Sequence, residues 1–306
     1  MHELFWECRT HGLCECGERD GGDIAGLQVS WSQHLSGEIE RSIYDFWYNN
    51  VIMWYTRGQL TKSSDKLPAL SGLATRVQQK IGDEYIAGLW KADLVRGLLW
   101  IGPAYMTAPQ FIPKEYRAPS FSWASVDGEI YYMYRLDPLE THLEIIHVSC
   151  KLATVDTFGQ VSDGQLVLRG VLRPVWIFVS HKTRRGKTRV NFPEQKPTED
   201  DPPGSHDVSI DAFLDATPAI DASKPQVHGG AEPLLIAHRN TRSTPTNVSD
   251  WCRGWCLPVC THGDIVYLII LGKSLRRSDA FERLGLIHVD KPDVFSGLEM
   301  RKIVIV

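Results

Sequence analysis

From about Ser36, apolar residues recur at intervals of three and four, at Ile39, Ile43, Phe46, Trp47, Val51 and Trp54, with polar residues between them. This is the period of an amphipathic helix. Ser36 fits an N-cap, with Glu38 and Glu40 in the first turn, where acidic groups are favoured. Pro68 at a helix start predicts a second helix to about Lys80, ended by Gly82. Ile86, Leu89, Trp90, Leu94, Leu98 and Leu99 predict a third from about Asp83 to Trp100, stopped by Gly102-Pro103.

From Phe121 onward the pattern changes to strands, predicted at 130–135, 143–153, 165–171, 174–180, 233–238, 265–272, 285–290 and 301–306. Asp163-Gly164 supplies a turn, and Gly170 and Pro174 punctuate the middle pair. Residues 1–30 carry no period, and the basic, then acidic and proline-rich stretch at about 184–205 reads as a mobile loop. A second polar stretch covers about 239–250. Helices first and strands later predict an α+β fold. An N-terminal helical unit, residues 1–117, packs on a strand-rich part, 118–306, as one integrated domain. The C-terminal part is expected to be a mostly antiparallel sheet or distorted barrel. No internal repeat of 20–50 residues is visible, which argues against a propeller or solenoid.

Between the two halves, Ala118–Ile130 alternates small hydroxylated residues with rings, burying one face and presenting hydroxyls on the other. Asp127-Gly128 then offers a tight turn before Ile130-Tyr131-Tyr132-Met133-Tyr134.

Composition narrows the partners more than the fold. The 306 residues are ample for a sizeable core. A formal net charge of −4 gives no basis for a nucleic-acid or anionic-membrane partner. No 18 apolar residues run uninterrupted, so no membrane span is expected. Met1–Cys8 lacks the basic and apolar regions of a secretory signal, so the expected location is cytoplasmic. Seven cysteines, an odd number, fit reduced thiols. Ten tryptophans imply a ring-rich core or a ring-lined pocket.

Several groupings carry potential chemistry. Cys8, His11, Cys14 and Cys16 are dense but lack Cys-x-x-Cys or paired-His spacing, and no metal site is expected there. Cys252, Cys256 and Cys260, with His262 nearby, would share a helix face, but Gly254 and Pro258 oppose a regular helix and buried structural thiols are expected. There is no Gly-x-Ser-x-Gly elbow, His-Glu-x-x-His or phosphate-binding Gly-rich loop. Asp65-Lys66 in its polar stretch reads as a capped loop before a helix. Arg117, beside Tyr116, can bind a carboxylate or polarised carbonyl, or form a structural pair with an Asp.

The chain resembles the region that follows the HET domain in fungal heterokaryon incompatibility proteins. The resemblance is carried by Leu4–Cys8, Trp54-Tyr55-Thr56-Arg57, Leu60-Thr61 and Asp65–Ala74. It continues through Tyr85–Trp90, Leu98-Leu99-Trp100, Tyr116–Ser125 and Phe281–Leu286, in the family's order. Phe121 stands where the family commonly has Trp. In the family the HET domain precedes this region, whereas this chain opens on the Leu4–Cys8 block. The resemblance implies a fungal, stand-alone copy without that domain, and it transfers no catalytic residue.

Two functions from different classes follow as expectations. One is a cofactor-independent cyclase of the pericyclase or Diels-Alderase type in terpenoid or polyketide secondary metabolism, holding an apolar substrate in an aromatic pocket. The other is an interaction or regulatory module that binds a protein partner. An acid/base dehydratase or isomerase is a further alternative. In the enzyme reading Arg117 anchors a carbonyl or carboxylate, and Tyr116 and Ser122 donate hydrogen bonds. Trp123, Trp54 and Phe121 wall the substrate, and Asp127 orients Arg117. No metal and no cofactor is expected.

Overall fold

The computed structural model describes residues 43–102, 113, 115–133, 139–179, 188–192, 250–290 and 295–306, with short strand segments at 5–7, 12–14, 210–211, 213–214, 219–220 and 235–236. Most of the cysteine-rich start, residues 36–42 of the first predicted helix, and most of the 184–205 and 239–250 stretches lie outside the described residues.

The first helical segment, Ile43–Phe46 (α1), passes through a π-helical stretch, Trp47–Ile52, into Met53–Arg57 (α2). A π-turn closes its hydrogen bond one residue later than an α-turn, so the buried face rotates along the helix. This is why Ile52 and Thr56 are buried, where a 3.6-residue period would place Val51 and Trp54. A 3-10 turn at Pro68–Leu70 leads into Ser71–Ile81 (α3). Gly82 ends it at φ 68°, its N–H donating to Gln78 O at 2.7 Å. That left-handed cap is cheap only for glycine.

The third predicted helix is not one. Tyr85–Ile86 and Leu89–Trp90 pair as an antiparallel hairpin, Leu94–Gly97 (α4) is a single turn, and Trp100–Ile101 pairs with Tyr131–Tyr132. Ala87 at φ 47° and Gly88 at φ 98° form the hairpin turn. Two successive positive φ angles cannot continue a right-handed helix. Asp83 reinforces the hairpin by accepting from the Glu84 and Ala92 N–H groups. The six apolar positions that suggested a helix are all buried, in a different conformation.

The strand-rich part is one large, mostly antiparallel sheet, and with the short N-terminal helices it makes an α+β fold. Its main strands are Leu143–Leu152 (β1), Val161–Val171 (β2), Arg173–Val179 (β3), Thr188–Asn191 (β4), Asp250–His262 (β5), Ile265–Lys273 (β6), Phe281–Val289 (β7) and Met300–Ile305 (β8). Their order is β4-β3-β5-β6-β7-β8-β2-β1, with a single parallel bridge, Phe281 to Ile305, between β7 and β8. The sheet curls until the short strand Glu140–Thr141, just ahead of β1, pairs with Thr261 and Cys260 of β5.

β5 occupies a stretch where no strand was expected. Proline cannot donate to a ladder and is tolerated at bulges. The β5–β6 register shifts between Pro258 and Cys260. The shift puts Cys256 in one apolar cluster and Cys260 in the other, so the cysteines spaced by four do not line one face. β6 is apolar from Ile265 to Leu271 because both its faces are covered there. Tyr267 and Ile269 join the larger cluster with the helices, while Val266, Leu268 and Ile270 join a second cluster on the opposite face. The larger cluster runs from Trp47 through Trp123 to Ile305, one core spanning both halves of the chain.

Candidate functional site

The 118–125 segment stitches three parts of the fold together. Ser120 Oγ donates to Val306 O and accepts from Arg283 N at 2.9 Å. Phe121 O accepts from Trp100 Nε1 at 3.0 Å, and Arg283 reaches Leu98 O and Trp100 O. Ser122 Oγ donates to Ala87 O at 2.5 Å and caps the 3-10 turn Trp123–Ser125 by accepting from Ala124 N. Trp123 Nε1 donates to Gly88 O at 3.0 Å, the carbonyl that also accepts from Trp47 Nε1. Gly88 is required here, because a Cβ would lie 2.5 Å from Trp123 Nε1. Phe121, Ser122 and Trp123 are completely buried.

A cleft of about 480 Å³ opens beside this joint. Its walls are the C-terminal end of α2 with the following turn, Tyr55 to Leu60, then Ser63, Lys66, Arg117 and the Asp127–Glu129 turn. Arg117 enters from the joint side and is buried. Its Nε donates to Ala124 O at 2.6 Å, Nη2 to Val126 O at 2.8 Å, and Nη1 to Ser63 Oγ at 2.6 Å and Asp127 Oδ1 at 2.7 Å. These bonds engage four of its five N–H groups. Arg117 therefore fixes the 124–127 backbone and keeps little capacity for a ligand.

Lys66 is the unexpected member. The chain places it between two 3-10 turns, Ser63–Asp65 and Pro68–Leu70, so its side chain turns inward rather than to solvent. Only 4% of it is exposed. Its Nζ donates to Val126 O, the carbonyl already bonded by Arg117, and lies 5.7 Å from the Trp123 ring centre. Its backbone carbonyl is held by Tyr55 Oη at 2.8 Å. Burial, and then the Arg117 guanidinium, push the ammonium down to about 7, with Asp127 opposing. The cleft's carboxylates are engaged with the arginines: Asp127 with Arg117 and Glu129 with Arg57. In its charged form the side chain has three N–H donors and one hydrogen-bonded acceptor.

Of the residues singled out in the sequence, Arg117 and Asp127 meet in the cleft as an ion pair. Phe121, Ser122 and Trp123 belong to the core and lie outside its lining. Their position follows from the hairpin turn, which brings the Ala87 and Gly88 carbonyls to Ser122 and Trp123. Trp54 sits one layer out, under the Arg57 guanidinium at 4.6 Å. Tyr116 is covered by Arg276, 3.9 Å over its ring. Among the described residues, no group of three or more His, Cys, Asp or Glu is placed to hold a metal ion. No helix there is long and apolar enough to cross a membrane. Protein-family models, curated proteins and solved structures show no match to this chain.

Proposed function

We propose that the chain is an enzyme acting on a small carbonyl compound, an isomerase or dehydratase that works by acid/base chemistry in the cleft. Lys66 is the group that transfers the proton, and Arg117 positions it from behind. The observation that carries this reading is a nearly fully buried amine in a cleft wall, beside a guanidinium and hydrogen-bonded to one carbonyl. A general acid or base works best when its pKa lies near the operating pH, and burial beside a second cation moves a lysine there. In its charged form the same ammonium polarises a substrate carbonyl and stabilises the enolate that forms when an α-proton leaves.

A cyclisation in a ring-walled pocket draws less support from this cleft. Phe121 and Trp123 turn to the core, and the lining is Tyr55, Thr56, charged side chains and backbone. The test is α-proton exchange. The protein is incubated in deuterium oxide with a panel of small keto acids and β-hydroxy carbonyl compounds, and loss of the α-proton signal is followed by NMR. Exchange by the native protein at least about tenfold faster than by Lys66→Met is expected. Equal rates would overturn the reading and leave the interaction module as the better account.

A further inference from the structure

We propose that Lys66 forms an imine with aldehydes or ketones that carry a carboxylate, making the cleft a covalent site for small oxo acids. This rests on the reading of the cleft as a carbonyl-binding site and adds the bond that is made. Three geometric features argue for it. The amine is sequestered, held by Val126 O on one side and by the Trp123 ring face on the other, while Lys66 as a residue lines a cleft wide enough for a small oxo acid. Among the described residues no carboxylate forms an ion pair with the amine, and Asp127 and Glu129 are bound by Arg117 and Arg57. While Lys66 is protonated, the positive groups of the lining, Arg57, Lys66 and Arg117, outnumber Asp127 and Glu129, so an incoming carboxylate meets a net attraction before the amine gives up its proton.

The step is balanced without an outside oxidant or reductant. The neutral nitrogen of Lys66 attacks the carbonyl carbon, the C–N bond forms, and one nitrogen proton passes to the carbonyl oxygen. The C–O bond then breaks, the oxygen leaving as water with the second nitrogen proton, and the C=N bond remains. A positively charged imine would draw electrons from the adjacent carbon more strongly than the ketone does, easing the same α-proton loss. Its charge would face the groups that surround the amine now: Arg117 and Asp127 from the joint, Tyr55 and Arg57 from α2, Glu129 from the turn, and Asp65 alongside in its own segment.

The experiment uses the full chain with glyoxylate as the probe and cyanoborohydride as the hydride donor that reduces an imine to a stable secondary amine. Peptide mass mapping then locates the added carboxymethyl group. Modification at Lys66 at least about tenfold above the exposed Lys91, rising with a midpoint near pH 7 and absent in Lys66→Met, is expected. Modification spread over exposed lysines, with none at Lys66, would overturn the imine. Lys66→Arg, which keeps the charge but forms no such imine, guards against loss of signal through misfolding. It should fold, as shown by an unchanged circular dichroism spectrum, and carry no adduct at position 66. Exchange in deuterium oxide without trapping leaves the acid/base site standing and removes the imine. Trapping without exchange does the reverse, and absence of both removes the two together.

Discussion

In the joint at 118–125 all four polar side chains, Ser120, Ser122, Trp123 and Ser125, have hydrogen-bond partners, whereas the charged form of Lys66 in the neighbouring cleft holds three N–H groups against one acceptor. The two regions touch at Val126, whose carbonyl accepts from both Arg117 and Lys66. One side of that carbonyl is closed and saturated, and the other is open and under-satisfied. Saturated buried networks rigidify a fold, while a desolvated cation with few partners costs stability and persists where it has a use. The difference separates the parts of this chain that build the fold from the part equipped for chemistry.

The sharpest way to break the comparison is to attack the joint. Trp123→Ala removes a fully buried ring at the centre of the larger apolar cluster and one of the two donors to Gly88 O. It should lower stability by about 3–5 kcal/mol in chemical denaturation. A loss below about 1 kcal/mol would mean the ring belongs to the cleft after all. Gly88→Ala comes next, because its methyl would meet the Trp123 indole and its φ of 98° strains any side chain. A loss of about 2–4 kcal/mol is expected from overpacking and strain together.

The cleft should respond in the opposite direction. Lys66→Met fills the same space without a buried amine, and it should stabilise the fold at neutral pH by about 1–3 kcal/mol. The pH dependence identifies the cause. Lys66 in the folded chain titrates near 7, below its unfolded value, so above about 7 the unfolded chain holds a proton that the folded chain lacks. Native stability therefore rises with pH from about 7 toward the ordinary lysine range and is flat, as far as Lys66 is concerned, below it. Unfolding free energies at pH 7 and pH 9 should differ more for the native chain than for Lys66→Met, by about 1 kcal/mol per pH unit. Parallel profiles would show that Lys66 is solvated.

Periodicity was informative where packing dominates. The alternation and apolar runs of 143–153, 265–272 and 301–306 place strands that the fold contains, and Gly82 ends α3 as its position suggested. It misled where backbone torsion decides. Ile86, Leu89 and Trp90 have helical spacing, but Ala87 and Gly88 turn the chain, a choice secured by Trp47 and Trp123 from far along the sequence. β5 was hidden by Gly254 and Pro258, since a bulge that shelters a proline leaves little trace in composition. For the site, Arg117 and Asp127 were legible as a pair because both lie in one aromatic-rich segment. Lys66 was not, because a lysine in a polar stretch looks exposed until α2 and the joint close around it. The available signal was its place immediately before Leu67 and Pro68, which puts it at the entry of a turn that buries Leu70.

The titration of Lys66 itself decides whether its amine is desolvated. Carbon-labelled lysine NMR, with the Lys66 resonance assigned by its absence in Lys66→Met, would follow the Cε shift against pH. A midpoint near 7 is the expected result, as burial and Arg117 demand. A midpoint in the ordinary lysine range, above about 10, would show a solvated ammonium and contradict the account of the cleft.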